Sequence, residues 1–159
     1  MLLWFVGMGV VLVWVVFQSP ALDVRVVAVG TLLPWLDLVT GGPFALHTLA
    51  GSVGLLAVVM LATRGRRLLR RSLLGLPIGT FLHLVLDASW ARNELFWWPV
   101  LGEGAFDGRL PELDRGLLPA VLLELAGVAA LWWASTAFGL DDPDRRRELR
   151  DTGRLRPRS

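Results

Sequence analysis

The sequence predicts an all-α protein, a polytopic transmembrane helix bundle of about five spans. Apolar residues make up 54% of the chain and charged residues only 19%, with a mean hydropathy of +0.56. A soluble domain of this size carries about a quarter charged residues. The charges are also unevenly distributed, because residues 1–63 contain only three of them. Stretches this apolar do not fit inside one small water-soluble core, which excludes a soluble enzyme.

Five stretches are apolar enough to be spans, since a helix rises about 1.5 Å per residue and a hydrocarbon core takes about 20 residues. They are Leu2–Phe17, Val24–Val39, Phe44–Thr63, Ser72–Ala91 and Gly116–Leu140. The first has no basic segment before it and no usable cleavage motif, so we interpret it as a retained helix and not as a signal peptide. The third contains Gly51, Ser52 and Gly54, which predict a face for close helix packing.

The distribution of arginine predicts the orientation. Residues 64–71 contain five arginines and no acid, and the segment 141–159 contains seven more. The positive-inside rule places both segments in the cytoplasm. The N-terminus and the net-acidic loop 92–115 then lie outside. We expect the tail 141–159 to be solvated and disordered, apart from one frayed helix through Arg145–Arg150. The arginine-only basic set is typical of a GC-rich bacterial genome, and we expect the protein in the bacterial cytoplasmic membrane.

Besides Arg25 at the entry of the second span, five titratable residues lie within the predicted spans, where a charge costs roughly 2.5–3.5 kcal/mol on insertion scales. They are Asp37, His47, His83, Asp87 and Glu124, and they include both histidines of the chain. Counted at about 1.5 Å per residue from the outer ends of four different spans, all five lie in the outer half of the membrane. This common depth predicts one shared site.

The residue types of this set indicate a metal-dependent hydrolase. His83 and Asp87 lie one turn apart on one helix face, so both could bind one metal ion, or the carboxylate could orient the imidazole. We expect Asp37, His47, His83 and Asp87 to bind a divalent metal, zinc before manganese or iron. Glu124 and Asp37 are the candidate catalytic residues, Glu124 as a general base or a further metal ligand. Otherwise Glu124 bonds a neighbouring helix or is protonated in its apolar setting. The structural alternative is a self-satisfied His83–Asp87 pair, with His47 packed against Asp37.

The same residues resemble the motifs of the YdjM-type family of inner-membrane metal-dependent hydrolases. The counterparts, in order over about residues 28–100, are Gly30–Asp37, Leu46–Thr48, Leu82–Asp87 and Trp97–Val100. The resemblance implies a membrane-embedded hydrolase whose metal is held at the matching acids and histidines. The chain departs from the family at Trp35, which replaces the first acid of a Pro-Asp-x-Asp motif. It also lacks the His-Arg pair before the Thr-His-Ser motif and a histidine near the N-terminus.

Two other functions stay open on the sequence alone. One is a non-catalytic membrane protein whose polar cluster locks helices together. The other is a small proton or metal-ion carrier. The inner halves of the spans contain no polar residues of this kind, which counts against a carrier. The expected partners are membrane lipids and a lipid-like substrate near the outer leaflet, with no nucleic acid. We further expect an interfacial anchor at 96–100, a mobile lid at 102–116 and an interfacial ion pair between Asp23 and Arg25.

Overall fold

The computed structural model describes residues 1–19, 22–37, 45–91, 93–100 and 115–157. Every regular element in these ranges is helical and none is a strand, which confirms the all-α class. The α-helices are α1 (Leu2–Phe17), α2 (Val24–Leu32), α3 (Leu49–Ala62), α4 (Arg67–Leu73), α5 (Gly75–Leu86), α6 (Asn93–Phe96), α7 (Leu117–Ala137) and α8 (Pro143–Thr152). Short 3-10 turns occupy Leu33–Trp35, Ala45–His47 and Ser89–Ala91.

Among the described residues, two helical stretches are long and apolar enough to cross a membrane. One is Arg67–Leu86, formed by α4 and α5, with 20 residues, and the other is α7, with 21 residues. Helices α1, α2 and α3 are apolar but shorter, so the five-span bundle and its orientation stay predictions. The fourth predicted span begins too late, because the arginine-rich segment that we expected to be a loop is helical from Arg67 onwards. The end of the second predicted span, at 38–39, lies outside the described residues.

Side-chain caps fix several helix ends. Asp23 caps α2, where its carboxylate accepts the N–H of Arg25 at 3.1 Å. Thr48 caps α3 by accepting the N–H of Gly51 at 2.9 Å. These polar side chains bind backbone N–H groups that have no partner within the helix. Because of the Thr48 cap, α3 begins five residues later than the predicted third span.

Glycines bring two pairs of helices into backbone contact. A Cβ atom on Gly79 of α5 would lie 2.7 Å from the backbone nitrogen of Thr31 and would overlap the carbonyl oxygen of Val27, both in α2. Gly127 of α7 meets the backbone of α1 at Leu3 in the same way. Close approach of this kind gives dense packing without a large apolar side chain at the contact.

The small-residue face predicted on α3 has a different role. Nothing among the described residues lies within 4 Å of a Cβ built on Gly54, and a Cβ on Gly51 would overlap the carbonyl oxygen of Ala45 in the turn before its own helix. Ser52 is buried but faces a groove. The α3 glycines therefore do not supply a close helix–helix contact.

The helices gather their polar contacts at two ends. At the histidine end, the start of α1 meets the end of α5, where the indole N–H of Trp4 donates to the carbonyl oxygen of Leu86 at 3.4 Å. At the tail end, the start of α2 meets the C-terminal segment, where the N–H of Val24 donates to the carbonyl oxygen of Gly153 at 2.9 Å.

The C-terminal segment is packed on the bundle and helical over Pro143–Thr152, where we expected a solvated tail with one frayed helix at most. Helix α8 is capped by Asp142 and ends at Gly153, whose φ of 68° is one that glycine adopts without strain. Leu155 is only 4% exposed. It belongs to a small core with Val10, Val24, Ala134 and Phe138. Residues 158–159 lie outside the described part of the chain.

Candidate metal site

Pro34 interrupts the end of α2 and makes its carbonyl groups available to side chains of α5. A proline has no N–H, so it cannot donate to the carbonyl oxygen of Gly30 four residues earlier. The hydroxyl of Thr80 donates to that oxygen at 3.2 Å. One turn further along α5, Nδ1 of His83 lies 2.7 Å from the carbonyl oxygen of Thr31. The end of α2 thereby fixes the orientation of the His83 ring.

Asp37 fixes the orientation of the His47 ring. One carboxylate oxygen, Oδ2, accepts the N–H of Leu46 at 2.9 Å and lies 3.0 Å from Nδ1 of His47. Both side chains are buried, with His47 fully inaccessible and Asp37 5% exposed. Thr48 closes the same turn by donating from its hydroxyl to Ala45 at 2.7 Å. The turn is therefore held on both sides of the imidazole.

The structure brings the two histidines together in the interior. Their ring centroids are 5.3 Å apart and their planes are nearly perpendicular, at 83°. His83 also stacks on Phe5 of α1, with centroids 4.0 Å apart and planes 18° apart. Both imidazoles are completely buried, so side chains 36 positions apart in sequence share one dry site.

The neighbour of His83 identifies which of its ring nitrogens carries the proton. A carbonyl oxygen only accepts hydrogen bonds, so Nδ1 of His83 donates to Thr31, while Nδ1 of His47 faces a carboxylate oxygen that already accepts the N–H of Leu46. In the neutral His83 ring the lone pair is then on Nε2, and both Nε2 atoms are buried. Metal-binding histidines typically donate their second ring N–H to a carboxylate or a carbonyl in this manner.

Asp87 ends α5 one turn after His83 and is 1% exposed. Its Oδ2 accepts the hydroxyl of Ser89 at 2.9 Å, and its Oδ1 lies 3.1 Å from a guanidinium nitrogen of Arg115. The same guanidinium donates to the backbone carbonyl of Asp87. A cation and a hydroxyl therefore compensate this buried carboxylate, and its role as a metal ligand stays a prediction.

Glu124 of α7 contacts the beginning of α1. Its Oε2 accepts the backbone N–H of Leu3 at 2.9 Å, and its Oε1 lies 3.0 Å from the amino group of Met1. From α7 the carboxylate thus binds the first N–H groups of α1, where a negative charge is favourable. Its catalytic role stays a prediction.

Within the ranges that the structure covers, no group of three or more histidine, cysteine or acidic side chains is arranged to hold a metal ion. The described site offers two imidazoles, with Asp37 on the Nδ1 side of His47. This contact makes Asp37 an orienting residue, whereas the sequence suggested a ligand or a catalytic acid. Its metal-binding and catalytic roles stay predictions.

Three residues of the site were not found from the sequence. They are Thr31, which acts through its backbone carbonyl, Phe5, which stacks on His83, and Arg115, which pairs with Asp87. Pro34, three residues after Thr31, could have indicated the role of Thr31, because a proline marks a helix end at which backbone carbonyl groups can accept hydrogen bonds from side chains. An apolar helix gives no corresponding signal for Phe5.

At the tail end, Asp23 and Arg25 form the expected ion pair. Two guanidinium nitrogens contact the two carboxylate oxygens at 2.8 and 2.9 Å. The hydroxyl of Ser72 donates to the same carboxylate at 3.3 Å. The hydrogen bond from the Arg25 side chain lowers the pKa of Asp23 below its usual value.

The expected anchor and lid are described only in part. In the segment 96–100, the rings of Phe96 and Trp97 meet edge to face at 5.2 Å, and Trp97 is 43% exposed. An exposed indole is compatible with an interfacial anchor. The expected lid lies outside the described residues, apart from Arg115 and Gly116.

No family model, curated protein or solved structure matches the chain. The resemblance to the YdjM-type family therefore rests on the four sequence motifs alone.

Proposed function

We propose that the protein is a membrane-embedded, metal-dependent hydrolase whose metal site is built on His47 and His83. One observation carries the proposal. The two imidazoles are buried 5.3 Å apart, and each has its Nδ1 held by an acceptor, the carboxylate of Asp37 or the carbonyl of Thr31. This pairing keeps each ring in the tautomer that binds metal through Nε2.

The donor set fits a borderline divalent ion such as zinc. His47 and His83 would hold the ion through imidazole nitrogen, and Asp87 is the candidate third ligand. A bound ion would supply Lewis-acid activation of an ester or phosphoester. Asp37 orients His47, while Phe5 covers one face of His83 and excludes water from it.

The distribution of burial supports a membrane location. The fully buried side chains include polar ones such as His47 and His83, whereas Leu61, Leu117 and Trp132 are each more than 70% exposed. In water this arrangement would be unfavourable, but a lipid environment solvates the apolar exterior and drives polar groups inward. We therefore propose a bacterial cytoplasmic membrane location, with the histidine end in the extracytoplasmic half as the arginine distribution predicts.

The test is the metal content of the protein purified in a mild detergent. Wild-type protein is expected to retain near-stoichiometric zinc by elemental mass spectrometry, and His47→Ala and His83→Ala to reduce it to background. Asp37→Asn should weaken zinc affinity by about 10- to 100-fold, as loss of an orienting partner does elsewhere. Asp23→Asn is the matched control, because it changes a buried carboxylate at the opposite end, and it should retain wild-type zinc.

A non-catalytic role is the second candidate, and the compensation of Asp87 by Arg115 and Ser89 favours it. In that case the folded wild type holds no zinc, and His83→Ala only lowers its melting temperature. Such a result would remove the hydrolase proposal.

A further inference from the structure

A groove of about 410 Å³ lies between α1, α3 and α5. Its walls include Leu12 and Phe17 of α1, Leu56 of α3 and Ile78 of α5. The volume falls in the range of sites that hold small organic ligands. Among the described residues that line the groove, Ser52 alone is polar.

Ser52 carries a hydroxyl that the described part of the protein leaves without a hydrogen-bond partner. The side chain is 4% exposed and its Oγ is buried. A helical serine in an apolar setting ordinarily donates to the carbonyl group one turn earlier, and an unsatisfied buried hydroxyl is costly. Rotation about χ1 moves the hydroxyl among three staggered positions, so an acceptor in the groove would satisfy it.

Two residues that line the groove are close in sequence to the histidines. Leu49 follows His47 by two residues, and Leu82 directly precedes His83. From Leu49 to Leu56 the α3 wall extends about 10 Å at the helical rise per residue. Helix α5, which carries His83, and helix α3, which begins two residues after His47, thus form two walls of the groove.

We propose that this groove holds one acyl chain of a lipid whose ester or phosphoester head lies at His47 and His83. The Ser52 hydroxyl donates to the acyl ester carbonyl, between the head and the chain. The inference rests on the proposed function and names its substrate class. An alkyl chain alone would leave the hydroxyl unsatisfied, which is why the groove fits an acyl ester better than a hydrocarbon.

The first experiment uses lysophosphatidic acid with a diazirine in the middle of its acyl chain, added to the full-length protein in detergent micelles. Photolabelling should concentrate on peptides of α1, α3 and α5 and be competed by unlabelled lysophosphatidic acid. Val53→Trp places an indole in the groove and should lower the labelling by about tenfold, because the added volume displaces the chain. Val58→Trp is the matched control, since both valines lie exposed on α3 (56% and 61%) but only Val53 lines the groove.

The second experiment isolates Ser52. Wild-type protein should bind the acyl ester more tightly than the ether-linked analogue, by about fivefold for one hydrogen bond. Ser52→Ala keeps the groove open and should remove this preference. Equal labelling of α7 and the groove, or an unchanged ester preference in Ser52→Ala, would overturn the proposal.

These readouts separate the inference from the function on which it rests. If the protein holds no zinc but groove labelling still depends on Val53 and Ser52, the lipid site is supported and the hydrolase proposal is wrong. If the protein holds zinc but neither substitution changes the labelling, the metal site is supported and the groove inference is wrong.

Discussion

The two ends of the bundle bury carboxylates with partners of different kinds. At the tail end, Asp23 is paired with Arg25, a guanidinium that is always charged, and with the hydroxyl of Ser72. At the histidine end, Asp37 is paired with His47, a ring with a second nitrogen. In the first arrangement the carboxylate and its partners only hold neighbouring helices together. In the second arrangement the partner is an imidazole, a residue type that can orient through one nitrogen and bind a metal ion through the other.

This difference shows why a count of buried acids does not locate a functional site. Asp23 and Asp37 are similarly buried, at 8% and 5% exposure. What distinguishes them is the type of partner, because a guanidinium only donates hydrogen bonds, whereas an imidazole is also a common metal ligand. If the comparison is correct, damage at one end should change metal content and damage at the other should change only stability.

The largest effect is expected at Gly79, where α2 and α5 are in backbone contact. Gly79→Ala should cost about 3 kcal/mol or more in free energy of unfolding, because the new methyl group overlaps the backbone of Val27 and Thr31. It should also lower zinc content, since separating the helices moves the Thr31 carbonyl away from His83. Thermal unfolding in detergent and elemental analysis measure the two effects.

Gly54→Ala is the control for this substitution. Nothing among the described residues lies within 4 Å of the added methyl group, so the gain in helix propensity should leave stability unchanged or raised by up to about 1 kcal/mol. Equal melting temperatures for the Gly79 and Gly54 variants would contradict the close packing of α2 on α5.

A smaller effect is expected at the tail end from Leu155→Ala. The side chain is buried among Val10, Val24 and Phe138, and its truncation should cost about 2 kcal/mol through lost burial and a residual cavity. Faster tryptic cleavage after Arg154 would report the released segment, while zinc content should stay at the wild-type level. A loss of zinc in this variant would show that the two ends are not independent.

Leu68→Ala removes the same number of atoms from a leucine that is 85% exposed. This control should change the free energy of unfolding by less than about 0.5 kcal/mol. It should also leave the rate of tryptic cleavage unaltered.

The sequence predicts local features of this protein better than its contacts. Hydropathy alone gave Leu2–Phe17 with the bounds that α1 has, because an apolar run ended by Gln18 and Ser19 needs no tertiary information. The arrangement of polar residues also indicated that His47 and His83 should converge, as they do. Their depth could be counted along each helix from the membrane surface that the charges define.

The remaining features depend on tertiary structure. Gly54 and Gly79 look alike in sequence, but only Gly79 meets another backbone. The tail was expected to be solvated because of its charge, yet Leu155 is buried in the small core and the Val24 N–H donates to Gly153, so the tail packs on the bundle. The orienting role of Asp37 depends on which nitrogen of His47 faces it, and residue spacing carries no information on ring orientation.

The smallest effect is expected from Asp23→Asn, and its pH dependence is the distinguishing property. Arg25 lowers the pKa of Asp23 in the folded protein, so between the folded and unfolded pKa values the native state binds fewer protons and stability rises with pH. The contribution is therefore complete above the unfolded pKa of about 3.9 and is lost as the pH falls through the lower folded value. At pH 7 the variant should lose about 1–2 kcal/mol, since one charge-assisted pair is weakened while Arg25 remains partly solvated.

Once the pH falls below the lowered folded pKa of Asp23, the wild-type protein and Asp23→Asn should converge in stability, because both then carry a neutral side chain at this position. Hydrogen exchange of the Val24 amide, which bonds to Gly153, follows this end of the molecule without reporting on the histidines. A stability difference that grew on acidification would mean that Asp23 is not held in its charged form by Arg25. The tail end would then resemble the histidine end, where the partner of the carboxylate is itself titratable. Only metal content would then distinguish a carboxylate that joins helices from one that belongs to a ligand site.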